Sequence, residues 1–391
     1  MIGTGTDGAN AMTGHLQGVV TRLAKESANS KFYRVWCGLH QLDLILKHAY
    51  AELWDNEVVD IMKKFIQHLR QQNGLIAKMQ ATSRWLAMGI VCKWLLSKRI
   101  EIFEYFDDTE ITVEWAPPDW WWIVVAGISA LTELINPVFT KLQAPDLLVS
   151  AQSMLLDNLS TEISAAVGVR VRDVDPGEFS VTYGRWFVQY DDMLVFVEDL
   201  GMFPRQLLHK ADNELHQKVL HSLGHLAIRL VDGIVDIQAE RNARNEADSD
   251  LPPVLPHQIV KLSTRDFGKT IVDPHLMQLR HFWNIQSIEE IENEHRQLVV
   301  AYRMEPALKS AFDGYEHISI ASFEDAWGIV EGHFEILRDF CGGIATVFAN
   351  TASVESDFSI LGWEKDKFRL SMTDLSLEGL CTVSNTSCCQ F

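Results

Sequence analysis

Apolar residues recur at helical spacing along most of this chain. Met12, Leu16, Val19, Val20 and Leu23 share one helical face, which predicts an amphipathic helix over 10–25. Residues 32–37 form a short β-prone run and predict a strand. Leu42, Ile45, Leu46 and Ala49 open a second helical pattern. Ile61, Phe65 and Leu69, and then Trp94, Leu95 and Ile102, continue it. Pro117-Pro118 breaks the pattern and divides an N-terminal α/β part from a long helical region. Residues 242–257, with Pro252, Pro253 and Pro256, read as an exposed loop or linker. Beyond them, 285–304 and 323–340 read as helices. No internal repeat is visible. The fold class expected is α/β and mostly helical.

Composition narrows this picture. The chain has 391 residues, 47% of them hydrophobic, enough to bury a large core in two or more lobes. Asp and Glu outnumber Lys and Arg by 53 to 34, a net charge of -19. Phosphate contacts need cations, so the overall field opposes nucleic acid and leaves room only for a local basic face. The 6 cysteines show no pairing framework, which points to a reducing, intracellular compartment rather than secretion. The first residues are rich in Gly and Thr rather than basic and then apolar. No apolar run reaches membrane-span length; residues 119–125 are aromatic-rich but short, and charge returns at Glu133.

Candidate chemistry sits at the two ends. Residues 3–8 formally match G-x-G-x-x-G, but a dinucleotide site needs a strand before the first glycine, and only Met1 and Ile2 precede it. Asp7 would also stand beside the pyrophosphate. Two readings remain for Asp7: a metal-binding carboxylate at a strand end, or a turn residue that caps the next helix. Glu355 is its counterpart near the C-terminus, flanked by hydroxyl residues. Two carboxylates at opposite ends suit a divalent metal assembled from distant elements. Cys37 and His40 read as zinc ligands or as a buried thiol with a hydrogen-bonded imidazole; no second pair stands at zinc spacing. His209, His216, His221 and His225 lie on one helical stretch. His221 and His225 have i, i+4 spacing but no H-E-x-x-H glutamate, so a solvated face is the favoured reading. Trp120, Trp121 and Trp122 read as core or lobe-interface packing. Trp85 reads as a core aromatic or a base-stacking one. No G-x-S-x-G elbow or Walker loop is present.

The motifs also stand in a recognisable order. Asp7-Gly8-Ala9-Asn10 with Met12 comes first, then Cys37-Gly38-Leu39-His40 running into Gln41 and Leu42. Ser83-Arg84-Trp85 follows, and Ser353, Glu355, Phe358 and Ser359 come last, with Ser356 where an Arg is usual. This order resembles the hAT superfamily of DNA transposases. The resemblance implies an incomplete RNase H-like core over 1–116, a long all-α insertion over 117–340, and a C-terminal helical segment over 341–391. That last segment would close the core and serve dimerisation. It implies Asp7 and Glu355 as catalytic, metal-holding carboxylates for Mg²⁺ or Mn²⁺, Arg84 and Trp85 as DNA contacts, and Cys37 and His40 as residues orienting the site. The family's first catalytic Asp would lie upstream of Met1. The expectation is therefore an N-terminally truncated, catalytically impaired copy, with no metal held by the chain as it stands and only weak ancestral DNA binding. The resemblance also implies a nuclear location and subunit contacts through the C-terminal segment that holds Phe358, Leu361 and Trp363. Phe358 and Leu361, three and six positions after Glu355, read first as core positions packed against the sheet. The alternative is a non-catalytic nucleic-acid-associated or protein-interaction protein that dimerises through the same segment.

Overall fold

A computed structural model of the chain describes residues 3–6, 18–26, 33–71, 87–108, 116–144, 147–173, 177–244, 252–315 and 322–347. Their contacts separate into two compact units. The first takes Met1–Cys37, Gln143–Val149 and Pro252–Phe391; the second takes Gly38–Leu142 and Ser150–Leu251. The described residues are mostly helical, as the periodicity predicts.

The first unit begins with two short strands, β1 (Gly3–Thr6) and β2 (Tyr33–Trp36). They pair in parallel, Gly3 opposite Tyr33 and Thr6 opposite Trp36. Parallel strands cannot be joined by a tight turn. The helix Val19–Glu26 lies in the connection, with Val20 buried and Lys25 and Glu26 exposed. The strand expected over 32–37 is therefore observed, and the described part of the helix expected over 10–25 begins at Val19.

The later part of this unit is a set of helices, and Ser263, Asn284 and Ser322 cap three of them among the described residues. Asn284 opens the helix Ile285–Met304 by accepting the Ser287 N–H at 2.7 Å. Ile288, Ile291, His295 and Leu298 then line its buried stripe at spacings of three and four. The stretch 323–340 is not one helix. It forms Phe323–Gly328 and Glu335–Ala345, separated where Glu331, Gly332 and Phe334 take left-handed backbone angles of 49°, 80° and 66°. The second of these helices has Phe334 at its N-cap, with no capping side chain. Glu294 supplies the acceptor instead, receiving the Leu337 N–H at 2.7 Å. Burial pushes the Glu294 carboxyl above its ordinary range, although the Leu337 bond pulls the other way.

Residues 242–257 also depart from the expected exposed linker. The helix Asn213–Arg244 extends into the stretch, and Pro252, Val254, Leu255, Pro256 and His257 are buried. The apolar residues between the prolines carry them inward, and the Val254 carbonyl accepts the Trp327 indole N–H at 3.1 Å.

The second unit is organised around the helix Asp119–Leu142, which packs on Ala87–Ser97, Met202–Lys210 and Asn213–Arg244. Trp121 and Trp122 are buried, as expected for the tryptophan run. Trp120 is half-buried and stacks on Trp54 at 4.1 Å between ring centroids. This helix is 24 residues long, with a mean hydropathy of 1.6 in its most apolar window. It is long and apolar enough to cross a membrane, contrary to the run-length reading, and 67% of that window is buried inside the fold. Ser129, Thr132, Glu133 and Asn136 give one side of it a polar character that the aromatic run conceals in sequence.

The region expected to be all-helical also contains a sheet. β3 (Arg170–Val171), β4 (Ser180–Tyr183) and β5 (Trp186–Gln189) form an antiparallel sheet with β5 in the centre. Tyr183 pairs with Trp186 across a two-residue turn, and Gly184 takes a φ of 55° there. A two-residue hairpin demands that left-handed angle, which glycine adopts at no steric cost.

Buried histidines give the first unit an acid sensitivity. His295 is fully buried, its ring parallel to that of Phe267 at 4.0 Å, and its Nε2 donates to the Ile259 carbonyl at 2.9 Å. Its Nδ1 has no partner among the described residues, so an added proton would be buried without an acceptor. Burial holds His295 below the ordinary imidazole range; burial and then Lys261 do the same for His257. Below about pH 6.5 the unfolded chain therefore binds more protons than the folded one. Stability is full above that value and falls as pH drops toward the depressed folded values. Thermal midpoints taken between about pH 7.5 and 5.5 should fall with acidification. The fall should be smaller in His295→Gln, which keeps a donor but does not titrate. An equal fall in that variant would count against His295.

Candidate functional site

The most suggestive location is the C-terminal end of the β1–β2 pair. Open α/β sheets place ligands beyond the carboxyl ends of parallel strands. Thr6 ends β1, and Cys37 follows β2. The Cys37 N–H donates to the Thr6 carbonyl at 2.8 Å, which ties the two strand ends together. Thr6 is buried, and its hydroxyl has no partner among the described residues. Cys37 is a fully buried free thiol. At the other end of β2 the buried Tyr33 hydroxyl meets His275 Nε2 at 3.2 Å, and burial pushes the Tyr33 phenol up to about 12. His275 itself is buried, so this contact anchors the strand pair to the C-terminal part of the same unit.

The Cys37-Gly38-Leu39-His40 motif spans the division between the two units, which falls after Cys37. Gly38 opens the helix Gly38–Ala51. Its N–H donates to the buried Gln152 side chain at 3.2 Å, and that amide would meet a Cβ on Gly38 at 2.9 Å. A glycine here lets an N-terminal backbone donor reach a side chain from the helix Val149–Val167. His40 is partly exposed in the first turn of its helix. Asp7, Arg84, Trp85 and Glu355, the other residues singled out in the sequence, lie outside the described residues, as do Phe358, Leu361 and Trp363. Among the described residues, no three His, Cys, Asp or Glu side chains converge on a point that would hold a metal.

Sequence reasoning missed a second polar assembly. Glu52 follows the helix Gly38–Ala51, and Arg229 lies on the helix Asn213–Arg244. The guanidinium grips the carboxylate with two hydrogen bonds of 2.8 and 2.9 Å, and donates a third to the Tyr183 hydroxyl at 2.9 Å. The bonds to Glu52 raise the Arg229 pKa further. His225 Nδ1 stands 3.9 Å from Glu52, and its ring meets Tyr183 edge-on at 5.6 Å. His221 stacks one turn away, its ring 7° from parallel to that of His225 at 6.3 Å. Trp186 Nε1 donates to Asp232 at 2.8 Å. Only the i, i+4 histidines of this group were visible in sequence. Glu52 and Arg229 stand 177 positions apart, with no local signal linking them. His209 lies on a separate helix, Met202–Lys210, so the four histidines do not share one stretch.

Glu52 leads into an unusual turn. Trp54, Asp55 and Asn56 take left-handed angles of 51°, 51° and 70° in succession. Each costs about 1–2 kcal/mol in an L-residue. The stack of Trp54 on Trp120 and the Lys218 ammonium 4.5 Å from the Trp54 ring centroid offset part of that cost.

Comparison with protein-family models, with curated proteins and with solved structures finds no match for this chain.

Proposed function

We propose that this chain is a transposon-derived protein of the hAT transposase type, ancestrally a metal-dependent enzyme of DNA strand cleavage and transfer. The observation that carries this reading is the parallel β1–β2 pair. Its two tied carboxyl ends lead directly into the Asp7 segment on one side and the Cys37–His40 motif on the other. The Tyr33–His275 contact adds support, because it joins this pair to the part of the chain that runs on toward Glu355. In this reading the first unit corresponds to the RNase H-like core and the second to its insertion. The core so read breaks off after Cys37 rather than at 116, which leaves Arg84 and Trp85 to the second unit, and resumes at Pro252 rather than after 340.

Asp7 and Glu355 would hold the metal. Two carboxylates are hard oxygen donors and suit Mg²⁺ or Mn²⁺. Such ions activate an attacking oxygen and stabilise the leaving one in phosphodiester chemistry. The chain's own share is to bring the two carboxylates together from its opposite ends. Arg84 and Trp85 would contact DNA, one on phosphate and the other by stacking. A second reading, a non-catalytic partner-binding protein, draws on the net charge of -19, which opposes DNA approach.

Iron-directed cleavage tests the proposal. Fe²⁺ substituted for Mg²⁺, with peroxide and ascorbate, cuts the polypeptide beside the bound ion. The chain as it stands is expected to hold the ion only weakly. Cuts near both Asp7 and Glu355 are therefore expected at Fe²⁺ high enough to fill a weak site, and each substitution, Asp7→Ala or Glu355→Ala, should remove both sets. Any Mn²⁺-dependent strand transfer by the purified chain should disappear in the same variants. Cuts at one end alone, or strand transfer indifferent to both substitutions, would sink the reading.

A further inference from the structure

We propose that the open groove between the helices Ala87–Ser97 and Asp119–Leu142 is a face through which two copies of this chain associate. The face belongs to the second unit. It rests neither on the strand-end chemistry above nor on the C-terminal segment.

The groove follows from how the two helices meet. Gly89 lets its helix close onto Thr132, so the pair is tight at that point. Beyond it, the helices present Ile90, Lys93 and Trp94 on one wall and Ser129, Glu133 and Asn136 on the other, around a cavity of about 360 Å³. On each helix these residues recur at three or four positions, so each wall is one continuous stripe. Ser129 and Asn136 are short and polar, which lets another backbone come close. Ile90 stands at the rim and is 67% exposed. An apolar side chain beside a hollow is uncovered on this copy, and a partner that buries it removes apolar area from water.

A second copy is the occupant that the lining fits. A two-fold interface sets the same patch against itself, so each feature must find its complement within that patch. The patch holds both a knob, Ile90, and a hollow that the knob of the other copy can enter. It also holds both signs of charge. Lys93 Nζ donates to Glu133 Oε1 at 2.9 Å, and both side chains are exposed. An ammonium has three donors and a carboxylate has two oxygens, so each has capacity left for the opposite charge of the other copy. The two-fold then gives an alternating set of two cations and two anions. Charge elsewhere argues against casual contact, because copies that each carry -19 repel. The groove lining has one cation and one anion, so it adds nothing to that repulsion. Its length is modest. Eight residues of helix span about 12 Å, short of an interface of roughly 800 Å² per partner. The association expected is therefore weak, in the micromolar range.

Sedimentation of the full chain over a hundredfold range of concentration tests the proposal. A monomer–dimer equilibrium with a micromolar midpoint is expected. Ile90→Glu puts a charge where the hollow of the other copy would bury it, and should weaken association by about tenfold or more. Its thermal midpoint should stay put, because the position is open to solvent in the monomer. Lys93→Glu should also weaken association, and adding Glu133→Lys to it should restore the dimer, since the patch is then self-complementary again. That pair of variants decides the matter even if Ile90→Glu fails to fold. A monomer at every concentration would overturn the proposal. So would an unchanged midpoint in a folded Ile90→Glu chain, which would put the contact elsewhere, the C-terminal segment included. A double swap that does not restore the dimer would overturn it as well.

Discussion

Replacing Trp121 by Ala should destabilise the second unit by about 5 kcal/mol. The ring is fully buried in the helix Asp119–Leu142 and meets Phe65 and Trp122 edge-on at 6.2 and 5.2 Å. Removing a buried tryptophan costs about 3–5 kcal/mol in lost transfer and cavity terms. The indole N–H also donates to the Val58 carbonyl at 3.0 Å. Leaving that acceptor buried and unpaired adds about 1–3 kcal/mol. A domain is stable by only about 5–15 kcal/mol, so this single change should take most of the margin. Trp120→Ala is the internal control. That side chain is half-buried, and its loss should cost about 1–2 kcal/mol, mainly the stack on Trp54. Urea unfolding followed by circular dichroism measures both. Equal losses in the two variants, or a Trp121→Ala loss under about 2 kcal/mol, would contradict this account of the core.

What the sequence made legible was mainly what repeats locally. Helical periodicity located the helix over 285–304, because burial of one face, here Ile288, Ile291 and Leu298, writes itself into spacings of three and four. The β2 strand was legible from its run of aromatic and branched residues. The β4–β5 hairpin was not read, although its signal is present. Tyr183-Gly184-Arg185-Trp186 puts a glycine in a two-residue turn between β-prone runs. The prolines at 252–256 misled for the opposite reason. Proline marks where a helix cannot continue, not whether the chain is exposed, and Val254 and Leu255 decide that question. Of the residues put forward for the candidate site, Cys37 and His40 belong to the described residues. The fold adds the tie between Cys37 and Thr6, a contact across the strand pair that no local pattern encodes. The Glu52–Arg229 grip is invisible for the same reason.

Gly89→Ala should also destabilise the chain, against the rule for helices. Gly89 lies inside the helix Ala87–Ser97, where alanine is favoured over glycine by about 1 kcal/mol. From sequence alone the substitution would be chosen as a stabilising one. In the fold, a Cβ at position 89 would stand 2.0 Å from the Thr132 Cγ2 and 2.4 Å from its Cβ. Thr132 cannot move aside freely. It is buried, and its hydroxyl donates to the Ile128 carbonyl at 2.6 Å and lies 3.3 Å from the Tyr50 hydroxyl. The two helices must therefore separate, and overpacking of this kind costs about 1–3 kcal/mol or more. The clash outweighs the propensity gain, and a net loss of about 1–2 kcal/mol is expected. Gly127→Ala provides the contrast. Its added Cβ would meet Leu223 Cδ2 at 2.5 Å, the tip of a side chain that can change rotamer. Its net effect should therefore be smaller than that at position 89. Thermal unfolding of both variants decides the matter: a stabilised Gly89→Ala chain would mean that the helices Ala87–Ser97 and Asp119–Leu142 do not approach as closely as Gly89 and Thr132 place them.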